Sequence, residues 1–507
     1  MTLDRRQFLQ GAAFVAAASA WQGASSEDAP AVVVSIDTRE VMGPLPHVWE
    51  ECVGSDRAAI TLRESWRHDL ERWHTEAGMR RVRFHGIFND ELGVYPAALP
   101  GRSPSPNFQN VDQVYDGLLE RGVSPFVELS FMPKRLASAD RKFGFYNANV
   151  SPPTSVEAWA DFIKTFVVHL VERYGLTSVR DWPFEVWNEA NLSPFWSGTQ
   201  QQYFELYKAT AVAVKSVDPG LKVGGPSTAR AQWVPEFTAY CAENNAPLDF
   251  ISTHVYPGDS QQQLFGAPAG FAPSDIPVEA VRRVRQAMQA ARLEGLPFWL
   301  TEWSSDSPAM IAHVITGCLP YCQAMSHWEL SGTYEEIFVA DYILREGNNG
   351  WAMMSRGIAL PQFNTYKLLH ALGSERLAAA GPVLASRFGG RSTQALIWNL
   401  AEVTQQSGVP IWQAHAREVK GEAKQYRVQF KGARPGQRLQ VRFVDQERGS
   451  PLPAWREMGS PQYLQADQIT LLRQRAEIPP PTLMKLDREA AVTLLLPPEG
   501  VALIELL

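Results

Sequence analysis

Pro183-Phe184-Glu185-Val186-Trp187-Asn188-Glu189, followed at once by Ala190-Asn191-Leu192, is the stretch on which the reading of this chain turns. It begins as a short apolar strand and stops abruptly on two polar residues that a core would not tolerate unpaired. Ahead of it, 155–174 (SVEAWADFIKTFVVHLVERY) places apolar residues at helical spacing, and behind it 200–217 (QQQYFELYKATAVAVKSV) does the same. A strand between two amphipathic helices is one β-α unit, and the unit repeats. Further strands are expected at 47–54, 79–85, 123–130, 222–226, 250–256, 297–304 and 325–331. Eight strands with helical patterns between them predict an α/β fold, a (β/α)8 TIM barrel. A doubly wound open sheet is the competing arrangement, but no Gly-rich phosphate loop follows the first strand.

The ends of the chain have a different character. Asp4-Arg5-Arg6-Gln7-Phe8-Leu9 and the small, apolar run from Gly11 to Ala20 have the form of a twin-arginine export signal. Ala18-Ser19-Ala20 offers a cleavage site, so residues 1–30 are set aside from the fold and a periplasmic or secreted location is expected. The barrel is expected over 41–374. From 375 to 507 the pattern turns to alternating segments (394–400, 425–431, 438–444, 491–496) with Gly and Pro punctuation, a β-sandwich signature, and 31–40 carries a strand segment that joins that sandwich.

Charge and composition exclude several functions. Forty-seven basic against fifty-four acidic residues leave a net −7 with no Lys/Arg run, so nucleic acid is not an expected partner. No apolar stretch of about 18 residues follows the N-terminal segment, so no membrane span is expected in the mature protein. Sixteen Trp suit either a large core or a surface that stacks sugar rings. Cys318 and Cys322 would sit one helical turn apart, but without a nearby His or acidic cluster they read as buried structural cysteines. Neither a metal nor a cofactor is expected.

Barrel enzymes carry their chemistry at the C-terminal ends of the strands. There this chain places Arg83 and His85 (strand two), Asn188 and Glu189 (strand four), His254 and Tyr256 (strand six), Glu302 (strand seven) and Trp328, with Glu335 and Glu336 beyond it (strand eight). Glycosidic cleavage needs one carboxyl to protonate the leaving oxygen and a second to attack or to activate water. Glu189 and Glu302 stand on strands roughly opposite in an eight-membered ring. Glu189 could instead be a capping acid, and Glu302 a paired structural carboxylate, but the apolar flanks Leu300 and Trp303 make an unpaired charge costly. Asn188 and Glu189 can face one substrate only if the strand ends or bulges between them.

At these residues the chain resembles glycoside hydrolase family 39, β-xylosidases and α-L-iduronidases on a (β/α)8 barrel with a trailing sandwich. The resemblance is carried by Arg81-Val82-Arg83-Phe84-His85-Gly86 with Asp90, by Glu185 to Glu189 with Asn191-Leu192 and Phe195-Trp196, by His254-Val255-Tyr256, by Thr301-Glu302-Trp303 and by Trp328 to Glu336. It implies a retaining exo-glycosidase, β-D-xylosidase first, with an arabinosidase, β-glucosidase or uronic-acid-directed enzyme as alternatives. The implied acid/base is Glu189 and the nucleophile Glu302, their carboxyls about 5–5.5 Å apart. Asn188, Arg83, His85, His254, Tyr256, Trp328, Glu335, Asp90 and Phe195 would bind the glycoside or small oligosaccharide. Two positions depart from the family: Ala190 replaces its usual Pro, and Gly332-Thr333 stand where an Asp precedes the aromatic-Glu-Glu run. A periplasmic sugar-binding protein without turnover is the reading from another class, and retention of both glutamates opposes it.

Overall fold

The computed structural model describes residues 30–96, 105–331, 352–390, 392–404, 418–461 and 463–507. Eight parallel strands follow one another round a closed barrel: Val53–Arg57, Arg81–His85, Ser124–Leu129, Pro183–Val186, Lys222–Thr228, Phe250–His254, Phe298–Trp303 and Ala324–His327. Val53 pairs with His327 and closes the ring, which rules out the open sheet. The long helices form where their patterns predict. Val156–Tyr174 starts on Ser155, whose side chain accepts the Ala158 N–H, and ends at Gly175. Gln200–Val217 starts in a capping box between Thr199 and Gln202. Trp159, Phe162 and Phe166 pack against Phe88 behind the second strand.

The first strand is a correction. Over the expected 47–54, Val48–Glu50 make a turn of 3-10 helix, and the strand begins only at Val53. It runs on through Gly54-Ser55-Asp56-Arg57, polar residues that are all buried. Each has a specific partner or neighbour: Ser55 accepts the Trp66 indole N–H (2.7 Å), Glu329 accepts the Asp56 backbone N–H (3.1 Å), and Arg57 pairs with Glu91 (2.9 Å). Gly54 lies so close to Trp328 that a Cβ would meet its ring at 2.6 Å. Hydropathy cannot see such a strand, because partners rather than apolar side chains make its burial tolerable.

The C-terminal body is a nine-stranded, mostly antiparallel sheet. Its order is Thr482–Lys485, Arg438–Val444, Val501–Leu506, Ser392–Trp398, Val383–Phe388, Glu375–Ala380, Val32–Pro44, Lys424–Lys431 and Ala491–Leu496. Val34, Ile36, Val428 and Phe430 from one half share a core with Ile397, Val441 and Ile504 from the other, so the sheet folds over itself as a sandwich. The N-terminal strand Val32–Pro44 lies in this sheet between Glu375–Ala380 (antiparallel) and Lys424–Lys431 (parallel). Strands 375–380, 383–388, 482–485 and 501–506 lie outside the predicted set, as do the short helices Leu452–Glu457 and Ala466–Arg475. The two bodies interlock: Ala309 N–H donates to the Glu499 carbonyl (3.0 Å), and the Asn364 amide donates to the Gly449 and Ala476 carbonyls (2.9 and 2.7 Å). Among the described residues no helix is long and apolar enough to cross a membrane.

Candidate active site

The fourth barrel strand ends at Val186, and the backbone then makes the break that Asn188 and Glu189 require. Trp187 (φ 71°) and Glu189 (φ 43°) are both left-handed. Such a conformation costs a non-Gly residue on the order of 1–3 kcal/mol and persists only where the surroundings enforce it. Here they do. The Glu189 N–H donates to the Ser227 carbonyl (2.8 Å), the Trp187 indole N–H to the Phe195 carbonyl (2.8 Å), and the Tyr203 hydroxyl reaches the carbonyls of Val186 and Pro226. Consecutive side chains that a regular strand would send to opposite faces thereby both enter the barrel mouth.

Arg83 is the hub beneath them. Wholly buried, it donates from Nε to Glu185 (2.6 Å), from Nη1 to Glu302 Oε1 (2.7 Å) and from Nη2 to Asn188 Oδ1 (2.9 Å), and it pairs with Glu128 at 2.7 Å. Burial opposes its charge, but Glu128, Glu185 and Glu302 outweigh burial and hold its pKa well above the ordinary guanidinium value. In return, although burial raises Glu128, Arg83 and His85 bring it below the usual carboxylate range. His85 Nδ1 lies 2.7 Å from Glu128 and its Nε2 3.7 Å from Glu302 Oε1. Thr301 donates to the second oxygen of Glu185 (2.9 Å) and Ser130 to that of Glu128.

Glu189, His254 and Glu302 converge above this network. One oxygen of each glutamate and one ring nitrogen of His254 all lie within 4.8 Å of one another. His254 Nδ1 is 2.9 Å from Glu189 Oε1, and Tyr256 donates its hydroxyl to Glu302 Oε2 (2.8 Å). His254 Nε2 faces two donors, Ser227 Oγ at 3.3 Å and Arg83 Nη2 at 3.5 Å, which assigns the ring proton to Nδ1 and points it at Glu189. Burial lowers the His254 pKa to about 4, so the ring is neutral at neutral pH. Burial also raises Glu189 to about 7, against the opposing pull of His85 and Arg83. Glu302 instead receives one donor on each oxygen, from Arg83 and from Tyr256. The site therefore sets a buried acid that keeps its proton up to about pH 7 against a carboxyl that accepts from two donors, too close for a water to stand in line between them.

Other predicted residues fall round this centre. Trp328 is buried and stacks on His85 (ring centroids 4.7 Å apart). Phe195, half-buried, lies parallel to Phe131 at 6.3 Å. Asp90 is exposed and accepts the Lys134 backbone N–H at 3.3 Å, a loop tie with no contact to either glutamate among those found. Glu335 lies outside the described residues. Glu128, Ser130, Ser227 and Asp259 take part without having been predicted. Asp259 accepts the Tyr256 backbone N–H (2.8 Å), and burial lifts its pKa to about 7. A signal was present for the glutamates: Glu128 and Glu185 are lone acids within apolar strands, which is costly unless a cation is near.

Comparison with known proteins bears on the family and the fold. The family model described as Glycosyl hydrolases family 39 matches residues 32–482. A β-xylosidase of Caldicellulosiruptor saccharolyticus is 33% identical over 475 residues, covering 88% of this chain and 91% of that protein. The crystal structure of a monomeric β-xylosidase from Caulobacter crescentus CB15 superposes with a TM-score of 0.82 at 33% identity, over 94% of this chain and 99% of that one. The family 39 enzyme of Xanthomonas axonopodis pv. citri gives 0.81 at 32% identity, over 94% and 97%. Fold and site thus define a retaining glycoside hydrolase. The chain belongs to glycosyl hydrolase family 39.

Proposed function

We propose that this enzyme is an exo-acting β-D-xylosidase that removes terminal xylose from xylo-oligosaccharides, with Glu302 as nucleophile and Glu189 as acid/base. The observation that carries the reading is the approach of the two carboxylates to within 4.8 Å, with one environment built for a charge and the other for a proton. Glu302 attacks the anomeric carbon as the glycosidic C–O bond breaks, and Glu189 gives its proton to the departing oxygen. Glu189, now a carboxylate, takes a proton from water, whose oxygen displaces Glu302 from the sugar. Asn188, held by Arg83, is the candidate to bind the 2-hydroxyl, while Arg83 and Tyr256 donate to Glu302 and burial makes Glu189 keep its proton. The relatives named β-xylosidases match most of the chain, which supports xylose as the sugar.

A panel of p-nitrophenyl glycosides tests the choice. The β-D-xylopyranoside is expected to be cleaved with the highest kcat/KM, ahead of the α-L-arabinosides, the β-D-glucoside and the β-D-glucuronide, and NMR should show β-xylose as the first product. A better arabinoside, glucoside or glucuronide would reassign the sugar, and binding without turnover would make the chain a sugar-binding protein. The N-terminal Arg5-Arg6 pair lies outside the described residues. We read it as a twin-arginine signal that delivers the folded enzyme to the periplasm, where breakdown of xylan supplies short oligosaccharides. Replacing both arginines by lysine should retain activity in the cytoplasmic fraction, and unchanged export would refute this route.

A further inference from the structure

We propose that His47, Glu50 and His370 form a structural binding site for a divalent cation of the Zn2+ class, on the barrel face opposite the catalytic glutamates. Both chain crossings between barrel and sandwich meet there. His47 follows the strand Val32–Pro44 as the chain enters the barrel, and His370 ends the last barrel helix, Pro361–His370, just before Gly373-Ser374 leads back to the sheet. Leu45 N–H donates to the Ser374 carbonyl at 2.7 Å, so the two crossings run side by side. Glu50 precedes the first barrel strand, and its carbonyl accepts the Arg80 N–H ahead of the second, which places the cluster at the N-terminal ends of the strands. The C-terminal ends hold the catalytic site.

The three side chains turn towards one point. His47 Nδ1 lies 2.5 Å and His370 Nδ1 3.0 Å from the same oxygen, Glu50 Oε1. Glu50 is buried, so its charge needs a cation close by. His47 Nε2 faces the Gly373 carbonyl at 3.4 Å, an acceptor that takes that nitrogen's proton. In that tautomer the Nδ1 lone pair faces the Glu50 oxygen, a pairing that a metal ion can bridge in place of a proton. A ring N–H tied to a backbone carbonyl, with the other nitrogen free to ligate, is the usual arrangement of a metal-binding histidine. Two histidines and a glutamate are a zinc-binding set. Ligands at about 2.0–2.1 Å in a tetrahedron stand about 3.3 Å apart, so the two contacts to Glu50 need to open by less than about 1 Å, and the three ligand atoms already lie within 4.8 Å of one another. His370 is 43% exposed, which allows that adjustment and leaves a fourth position for water. Gly78 completes the cradle: a Cβ there would meet His370 Nδ1 at 2.4 Å and Glu50 Oε2 at 2.7 Å.

Chelator-treated enzyme titrated with Zn2+ by calorimetry, and with Co2+ by visible absorption, tests the assignment. One equivalent per chain is expected, with a rise in Tm and unchanged hydrolysis of p-nitrophenyl β-D-xylopyranoside. His370→Gln, at a half-exposed position that keeps the fold, should weaken binding at least about 100-fold and abolish the Tm rise, and His47→Gln should do the same. Absence of binding up to millimolar Zn2+ would overturn the proposal and leave a proton as the joining cation. An equivalent that survives His370→Gln and inhibits hydrolysis would locate the metal at Glu189, His254 and Glu302, and would equally overturn it.

Discussion

Glu302→Gln is expected to lower kcat/KM for p-nitrophenyl β-D-xylopyranoside at least about 10⁴-fold, roughly 5 kcal/mol of transition-state stabilisation, with little change in fold. An amide cannot form the glycosyl ester, so the loss is chemical rather than one of binding. Its shape is the same, and its carbonyl can still accept from Arg83 Nη1, as Glu302 Oε1 does at 2.7 Å. The amide nitrogen then faces Tyr256, whose hydroxyl can turn from donor to acceptor. Removing a negative charge does leave Arg83 with less compensation, but Glu128 and Glu185 remain in contact with it. Circular dichroism and a melting curve beside the kinetics separate the two effects. A folded variant with near-normal turnover would take Glu302 out of the mechanism.

Glu189→Ala should produce the second large effect, and one that depends on the leaving group. Substrates with a poor leaving group are expected to lose about 10²–10⁴-fold in kcat/KM, the range of a general acid, whereas an activated dinitrophenyl xyloside should lose far less. Azide should restore part of the turnover and yield a xylosyl azide, because a small anion can attack the glycosyl-enzyme without a base. In the parent enzyme the rate should fall above about pH 7, where Glu189 gives up the proton that burial makes it keep. The variant should lose this alkaline limb with the activated substrate. Full retention of the limb and indifference to azide would assign the acid/base role elsewhere.

The same shift acts on stability. Because burial raises the folded-state pKa of Glu189 from 4.5 to about 7, the folded protein holds this proton more tightly than the unfolded chain. Its contribution is complete below about pH 4.5 and is lost as pH rises to about 7. His254 acts in the opposite range: its pKa is lowered to about 4, so the folded state resists protonation and stability falls as pH drops below about 6.5. A protonated Glu189 and a neutral His254 are therefore held at some expense to the fold on either side of neutrality.

Much of this arrangement could be read from residue order. The alternation of short apolar strands with helical patterns named the barrel, because periodicity is a local property and each β-α unit carries its own. The polar endings Asn188-Glu189, His254-Val255-Tyr256 and Thr301-Glu302 stood out against apolar flanks, since a core excludes such groups unless they are used. Both catalytic candidates were legible for that reason. The first strand was misplaced because Val53–Arg57 is polar yet buried, and its tolerance comes from Trp66, Glu329 and Glu91, distant in sequence. No local pattern records a partner. The same holds for the ring of Glu128, Glu185 and Glu302 about Arg83, which barrel closure assembles from four strands. It holds for the left-handed backbone at Trp187 and Glu189, which Ser227 and Tyr203 enforce from neighbouring elements, and for the meeting of His47 and Glu50 with His370. Sequence by itself determined which elements form and which chemical groups stand at their ends, because these depend on neighbours along the chain. Tertiary structure alone decided that Glu189 keeps its proton and that Glu302 meets a donor on each oxygen, because burial and the approach of distant groups exist only once the barrel has closed.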